Sequence, residues 1–500
     1  MAAKRSFVGI DVGTTGVKAL ALTPSGEVLG RAEEEYGLSA PQPGWSEQDP
    51  EDWWRAAERA LARLGRQEQQ LGLGLSGQMH GLVLLDERLR VLRPAILWND
   101  QRTAVECAEI EARLGLDRLI ALTGNRALTG FTAPKLLWVR RHEPDVYARI
   151  RHVLLPKDYV RLRLTGELAT DVGDASGTLL FDVSRRRWSD GVLDALELPR
   201  AWFPDALESP EVSGRTEAGV AVAAGGGDQQ AAALGVGIVG PGPLSVVLGT
   251  SGVVFAALPG YAADPRARVH VFCHAVPGTW EAMGVMLSAA GSLRWLRDVV
   301  SPGAPYGELT AAAETVPAGA GGVVFLPYLS GERTPHADPD ARAMFEGLSL
   351  GHGRGELVRA VLEGVAYGLR DSLDLLRALG VRADSGRASG GGARSRLWLS
   401  IVASVLGLPL EVTAAGEEGS AFGAALLGGV AGGVFADAGE AVAACVRVSE
   451  RVEPEPAWVD VYAAGHERYR ALYPALRSAG GGSPVATMGC SGVVSPEGDT

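Results

Sequence analysis

The chain has 500 residues, 46% apolar and 21% charged, with 47 Lys and Arg against 59 Asp and Glu and a net charge of −12. That composition excludes a disordered chain, a collagen and a coiled coil, and the length predicts two to four domains. An acidic chain has no general attraction for nucleic acid or an anionic membrane, so any anion it binds must be met by a local site.

In chain order, Phe7–Ile10 reads as a strand ending at Asp11, Gly13–Gly16 as a turn, and Ala19–Leu22 and Val28–Glu33 as returning strands. Asp49 as N-cap and Pro50 at the first helical position open a helix in which Trp54, Ala57, Leu61 and Leu64 recur on one face before Gly65 stops it. Leu71–Ser76 is a strand leading into Gly77-Gln78-Met79-His80-Gly81. Residues 82–85 and 91–98 read as a hairpin, 103–114 and 132–150 as helices, and 165–215 as irregular. Gly219–Ala224 is a strand running into Gly225-Gly226-Gly227-Asp228 and a short helix-compatible stretch. Leu244–Leu248, the turn Gly249-Thr250-Ser251-Gly252 and Val253–Ala257 then repeat the opening strand–turn–strand. Helices follow at 356–379, 394–406 and 420–432, and a Gly/Ser/Pro-rich tail at 479–500 reads as disordered.

Residues 229–263 carry no charge, but Pro241, Pro243 and many glycines break the run, so it reads as buried strands rather than a membrane span. The four cysteines are scattered without a CxxC pattern, which fits a reducing compartment with no zinc site. No signal-peptide core precedes the first strand.

Glycine stands out at 67 residues, about 13% against an ordinary ~7%. Three glycine turns, 11–16, 249–252 and 389–393, can aim backbone N–H groups into a concave nest that holds phosphate oxygens without net positive charge. Asp11 ends a strand beside the first of them and suits a Mg²⁺-bound water. Asp228, after three glycines at a helix start, suits a general base acting on a hydroxyl, and equally a helix N-cap.

These motifs, with Trp45–Pro50, Ile96–Asp100, Phe131–Trp138, Leu326–His336, Ala343–Glu363 and Gly390–Ser395, resemble the FGGY family of carbohydrate kinases from about Phe7 to Pro474. The resemblance implies an α/β protein of two actin-like (ribonuclease H-like) domains, each a mixed β-sheet flanked by helices, with the active site in the cleft between them. The expected domains are 1–240, holding sugar and base, and 241–478, holding the nucleotide. The implied activity is ATP-dependent phosphorylation of D-xylulose to D-xylulose 5-phosphate with Mg²⁺. Another ketose or polyol as acceptor, and a non-catalytic sugar- or nucleotide-binding protein, are the alternatives.

By the same resemblance, Asp228 matches the catalytic base. Met79 and His80 match the sugar-binding pair, joined by Gln229, where close relatives often have Asn. Asp11 matches a carboxylate near metal and phosphates. Gly13, Thr14 and Thr15, then Gly249, Thr250 and Ser251, match the phosphate loops, and Gly390, Gly391, Gly392 and Ala393 the adenosine loop. The implied ligands are D-xylulose and ATP, with neither nucleic acid nor membrane as partner and a homodimer admitted but not specified. The strand expected before the adenosine loop, Asp384–Ser389, is unusually polar, which puts its formation in question.

Overall fold

The computed structural model describes residues 5–65, 69–414, 416 and 418–479. The 479–500 tail expected from the sequence lies, beyond residue 479, outside them.

Two seven-stranded mixed sheets organise the chain. The first contains β1 (Arg5–Val12), β2 (Gly16–Leu22), β3 (Val28–Glu35), β4 (Gln69–Gly77), β5 (Val212–Arg215), β6 (Ala221–Ala223) and β7 (Gly226–Gly227). Its order is β5-β6-β4-β1-β2-β3, with β7 continuing beside β4. The second contains β8 (Pro243–Leu248), β9 (Gly252–Leu258), β10 (His270–Cys273), β11 (Trp280–Met286), β12 (Ser385–Ser389), β13 (Leu410–Thr413) and β14 (Val448–Val452), in the order β10-β11-β9-β8-β12-β13-β14. In each sheet the first strand runs antiparallel to the second and parallel to a later one: β1 to β2 and β4, β8 to β9 and β12. The same plan therefore occurs twice, as the repeated glycine turn implies.

Helices cover the sheets. Those used below are α1 (Pro50–Leu64), α2 (Thr132–His142), α3 (Pro156–Thr165), α4 (Val172–Ser176), α5 (Asp228–Gly235), α6 (Ala290–Val300), α7 (Arg354–Ala378), α8 (Arg396–Leu406) and α9 (Ser420–Ala431). The α9 helix belongs in sequence to the second half but packs on the first sheet. A Cβ on Gly9 would lie 2.1 Å from the Ala421 carbonyl oxygen, one on Gly74 1.9 Å from that of Ala424, and one on Gly72 1.9 Å from that of Gly428. Helix and sheet thus touch backbone to backbone, which only glycine permits. A shared apolar cluster of Phe7, Leu20, Ala223, Leu234, Phe422 and Leu426 seals this layer.

Several local expectations are corrected. The 132–150 helix breaks after His142, because Pro144 has no N–H for the ladder; a separate turn of helix covers Pro144–Tyr147. The 82–98 hairpin forms, but only through isolated antiparallel bridges, Leu82 to Ile96 and Leu85 to Val91, because each arm also pairs elsewhere. Val83–Leu85 pairs with His152–Leu154, and Ala95–Ile96 pairs with Glu47–Gln48. In α1 the buried face is Trp53, Ala56, Ala57 and Ala60, so of the expected stripe only Ala57 is buried. The doubtful polar segment does form a strand, β12, between β8 and β13. Arg387 satisfies its charge sideways, 2.7 Å from Glu411, and donates to the Val236 carbonyl at 3.1 Å. Gly386 leaves room for Leu410 and Val246. The uncharged 229–263 run resolves into α5, β8 and β9, and no described helix is long and apolar enough to cross a membrane.

Candidate active site

The first glycine turn closes the β1–β2 hairpin through a Gly13 N–H to Gly16 carbonyl bond of 3.0 Å. Its carbonyls are taken from behind. The Tyr36 hydroxyl and Gln78 Nε2 donate to the Gly13 oxygen, Gln48 Nε2 to that of Thr14 at 2.7 Å, and the Tyr36 N–H to that of Thr15 at 3.2 Å. In a planar trans peptide the following N–H points opposite to the carbonyl, so the amides of Thr14 and Thr15 face away from this scaffold. Trp98 Nε1 donates to Thr14 Oγ1 at 3.0 Å and fixes that hydroxyl.

The second turn repeats the device with different donors. The N–H groups of Ala289 and Ala290, entering α6, donate to the carbonyls of Thr250 and Gly249, both at 2.8 Å. The amides of Thr250 and Ser251 therefore turn outward. Ser251 Oγ points inward, donating to the Leu287 carbonyl at 3.4 Å. The third turn rests on the end of β8: a Cβ on Gly390, at φ +84°, would lie 2.8 Å from the Leu248 carbonyl. Gly249, Thr250, Gly391 and Gly392 line one cavity of about 460 Å³ between α6 and α8, floored by Trp398 and rimmed by Arg294, Arg394 and Tyr306. Ser251, Gly390 and Ala393 flank that cavity without lining it. Gly13, Thr14 and Thr15 belong to the other sheet and are not among its walls. Arg294, Arg394 and Tyr306 were not singled out from sequence, because nothing local distinguishes them from surface residues.

Asp228 opens α5 directly after β7, whose pairing with Ser76-Gly77 carries it to the C-terminal end of the first sheet. Gly225, at φ +85°, makes the approach possible: a Cβ there would lie 2.3 Å from the Leu75 carbonyl. Asp228 is not acting as the N-cap; that position is Gly227, with no side-chain cap. Burial pushes the Asp228 carboxyl up to about 7, and the nearby charge of Asp11 adds to the rise. Gln229 Nε2 donates to Asp228 Oδ1 at 3.4 Å. Burial also raises the Asp11 carboxyl, against the pull of the Ser420 and Ser76 hydroxyls and the Lys18 charge. Ser76 Oγ donates to Asp11 Oδ1 at 2.7 Å. The structure thus brings Asp11 and Asp228 together. Among the described residues there is no cluster of three metal-ligating side chains. A single carboxylate suits Mg²⁺ that keeps its waters and is shared with substrate phosphates.

Met79 is buried and packs beside Gly227 and Gly177. His80 adopts φ +68°, a left-handed conformation that a non-glycine residue rarely keeps without a reason. Lys135 Nζ and Thr132 Oγ1 hold it there by donating to its carbonyl at 2.8 and 3.1 Å. Its Nδ1 faces the Gly177 carbonyl at 2.7 Å, which can only accept, so Nδ1 carries the proton and Nε2 is a bare acceptor. Burial and the Lys135 charge lower the imidazole to about 3, keeping it neutral.

Behind the Met79-His80 and Asp228 segments lies a buried ion cluster. Lys157 Nζ is 2.6, 2.7 and 3.1 Å from Asp158, Asp171 and Asp174, and Arg161 is 2.9 Å from Asp158. Arg161 also donates to the Ala224 carbonyl, just before Gly225, at 2.8 Å. Asp174 lies on α4, which ends at Gly177, the acceptor of His80. The sequence signal was the pair Lys157-Asp158 amid apolar residues; that it meets Asp171 and Asp174 depends on tertiary packing.

Comparison with known proteins agrees with this geometry. The sequence matches the N-terminal domain of the FGGY family of carbohydrate kinases over residues 6–235 and the C-terminal domain over 244–432. The chain belongs to that family, with its two-domain mixed α/β fold, and is a kinase. Within the family it is similar to the xylulose kinase of Escherichia coli strain K12, 48% identical over 437 residues that cover 85% of this chain and 90% of the relative. It is also similar to the xylulose kinase of Bacillus subtilis strain 168, 36% identical over 93% of this chain and 96% of the relative. Among solved structures, the xylulose kinase from Rhodospirillum rubrum superposes with a TM-score of 0.88 at 35% identity, covering 95% of this chain and 99% of that one.

Proposed function

We propose that this kinase transfers the γ-phosphoryl group of ATP to the terminal hydroxyl of D-xylulose, giving D-xylulose 5-phosphate and ADP. The observation that carries the reading is the placement of the half-buried Asp228 carboxyl beside Asp11, at the end of the sheet that also presents Met79 and His80. The sequence identity to xylulose kinases supports the choice of sugar. We divide the chain at about residue 240, with 1–240 holding the sugar and 241–478 the nucleotide, in a cytoplasmic setting where ATP is available.

Phosphoryl transfer asks for positioning and charge stabilisation more than covalent help. Asp228, ionised, accepts the proton of the attacking hydroxyl as the new O–P bond forms. Gln229 steadies that carboxylate. His80 Nε2 accepts a sugar hydroxyl, and Met79 provides the apolar wall. The outward amides of Thr14, Thr15, Thr250 and Ser251 hold phosphate oxygens, and the cavity over Trp398 takes the nucleoside between Gly391-Gly392 and Tyr306. Asp11 would hold Mg²⁺ with the hydroxyls of Ser76 and Ser420 steadying it; when bound, the ion neutralises charge on the phosphates.

A panel of ketoses, polyols and glycerol assayed for ADP release tests the reading. The highest kcat/KM is expected with D-xylulose. A higher value with D-ribulose or glycerol would overturn it.

A further inference from the structure

Arg333 lies in the second half, on the segment that follows Leu326–Pro327. That segment is fastened to β11 and to the start of β10. The Thr334 N–H donates to the Val285 carbonyl, and the Val285 N–H to Thr334 Oγ1, both at 3.0 Å. Thr334 Oγ1 in turn donates to the Arg268 carbonyl at 3.0 Å, two residues before His270. His270 pairs across the ladder with Met283, two residues from Val285, so the segment runs past the end of β10 where His270 sits.

His270 stacks on Phe272 with centroids 5.6 Å apart, and both rings meet Phe131, which packs 4.8 Å from His80. Arg333 stands beside this aromatic box, and its charge helps hold both His80 and His270 neutral. Among the described residues its guanidinium makes no hydrogen bond and no ion pair. The adjacent Glu332 attracts its charge without a direct ion pair. That carboxyl is buried and accepts from the N–H groups of Leu287 and Arg333 at 3.0 and 2.7 Å, and burial pushes it up to about 8. The guanidinium is partly exposed, and desolvation works against its charge while Glu332 supports it, so a hydrogen-bonding ligand at its free N–H groups would be favoured.

We propose that Arg333 is a specificity-determining residue that reaches the sugar from the second half and donates to the carbonyl oxygen of the ketose, while His80 Nε2 accepts the neighbouring hydroxyl. The chemistry is complementary. A guanidinium only donates and a ketone only accepts; a bare imidazole nitrogen only accepts and a hydroxyl can donate. A ketone next to a primary alcohol, at the end of the sugar remote from Asp228, presents that pair. This inference rests on the ketose reading and deepens it.

The test is steady-state kinetics of the full-length enzyme, Arg333→Met and Arg333→Lys with D-xylulose and ATP. Arg333→Met should raise KM for D-xylulose about ten- to hundredfold, the loss of one charge-assisted hydrogen bond. KM for ATP should stay within twofold, and Arg333→Lys should recover part of the sugar affinity. An unchanged sugar KM, a parallel rise in the ATP KM, or a fall in kcat alone, which would place Arg333 on the phosphoryl group, overturns the proposal. If Arg333→Met does not fold, Arg333→Lys carries the test, with a rise of threefold or more in the sugar KM expected and no change overturning it. Wild-type enzyme inactive on D-xylulose would instead sink the proposed function and this inference with it.

Discussion

At the residue scale, Asp228 meets two opposed demands. As a base it must be ionised; as a partly desolvated group beside Asp11 it resists ionisation. The kcat/KM profile should therefore rise with pH through an acid limb near 7, read by steady-state assay across pH 5–9. A limb near 4 would contradict the burial argument. Asp228→Asn should lower kcat by at least about a hundredfold, the contribution of a general base. The same change should stabilise the fold. The folded pKa lies above the unfolded one, so ionising Asp228 weakens the native state most above pH 7, and the penalty fades as pH falls toward 4. The melting temperature of Asp228→Asn should thus exceed wild type at pH 8, by a margin that shrinks toward pH 4.

Lys157 shows the opposite case, a charge whose removal exposes three others. Lys157→Met leaves Asp158, Asp171 and Asp174 without their shared cation and should cost about 3–5 kcal/mol in denaturant unfolding. Asp11, Asp228 and the two glycine turns proposed to hold phosphate could be singled out because they sit in short local motifs. The Lys157 cluster and Arg333 were not, because each acquires its meaning from residues that only tertiary packing brings to it.

At the element scale, the contact of α9 with β1 and β4 is made by absent side chains. Gly74→Ala places a methyl 1.9 Å from the Ala424 carbonyl, and the helix must lift. Overpacking of that kind should cost about 1–3 kcal/mol or more, against a few tenths for Gly37→Ser in the exposed stretch after β3, where an added Cβ meets nothing, compared by chemical denaturation. The phosphate-type turns account for only a few of the glycines, and part of the remaining surplus is this seam. A signal for it existed: Gly72-Leu73-Gly74 places two glycines on one face of a strand, a pattern of close backbone approach. Strand β12 was misjudged for a related reason. Its polarity is matched by Glu411 on the neighbouring strand, a pairing that sequence order does not display. The α1 face slipped because Trp54, which the periodicity placed inward, lies partly exposed under Arg163.

At the scale of the whole molecule, the two halves repeat one sheet plan yet do not stand apart. The α9 helix of the second half covers the first sheet, and Glu418, just before it, reaches Lys18 and Arg31 of the first half at 2.9 and 2.8 Å. Neither half then closes its core alone. Fragments 1–240 and 241–478 expressed separately should be insoluble or lack a cooperative transition, whereas the intact chain should unfold in one calorimetric transition. Two independent transitions, or a folded 1–240 fragment, would show that the shared helix is dispensable. The doubling was legible from the repeated strand–glycine–strand pattern; the crossing helix was not, because residues 420–431 are apolar enough to suit any core.

The seam also bears on how this chain can drift over generations. Every codon change that replaces glycine adds at least a methyl group, and at positions 9, 72, 74, 423, 428 and 432 that atom would sit within 2.5 Å of another segment's backbone. Those sites have no conservative alternative, although none of them belongs to the proposed sugar or nucleotide sites. A saturation-mutagenesis map should therefore show, besides the expected cluster around Asp228, a second line of intolerance that traces the path of one helix across one sheet.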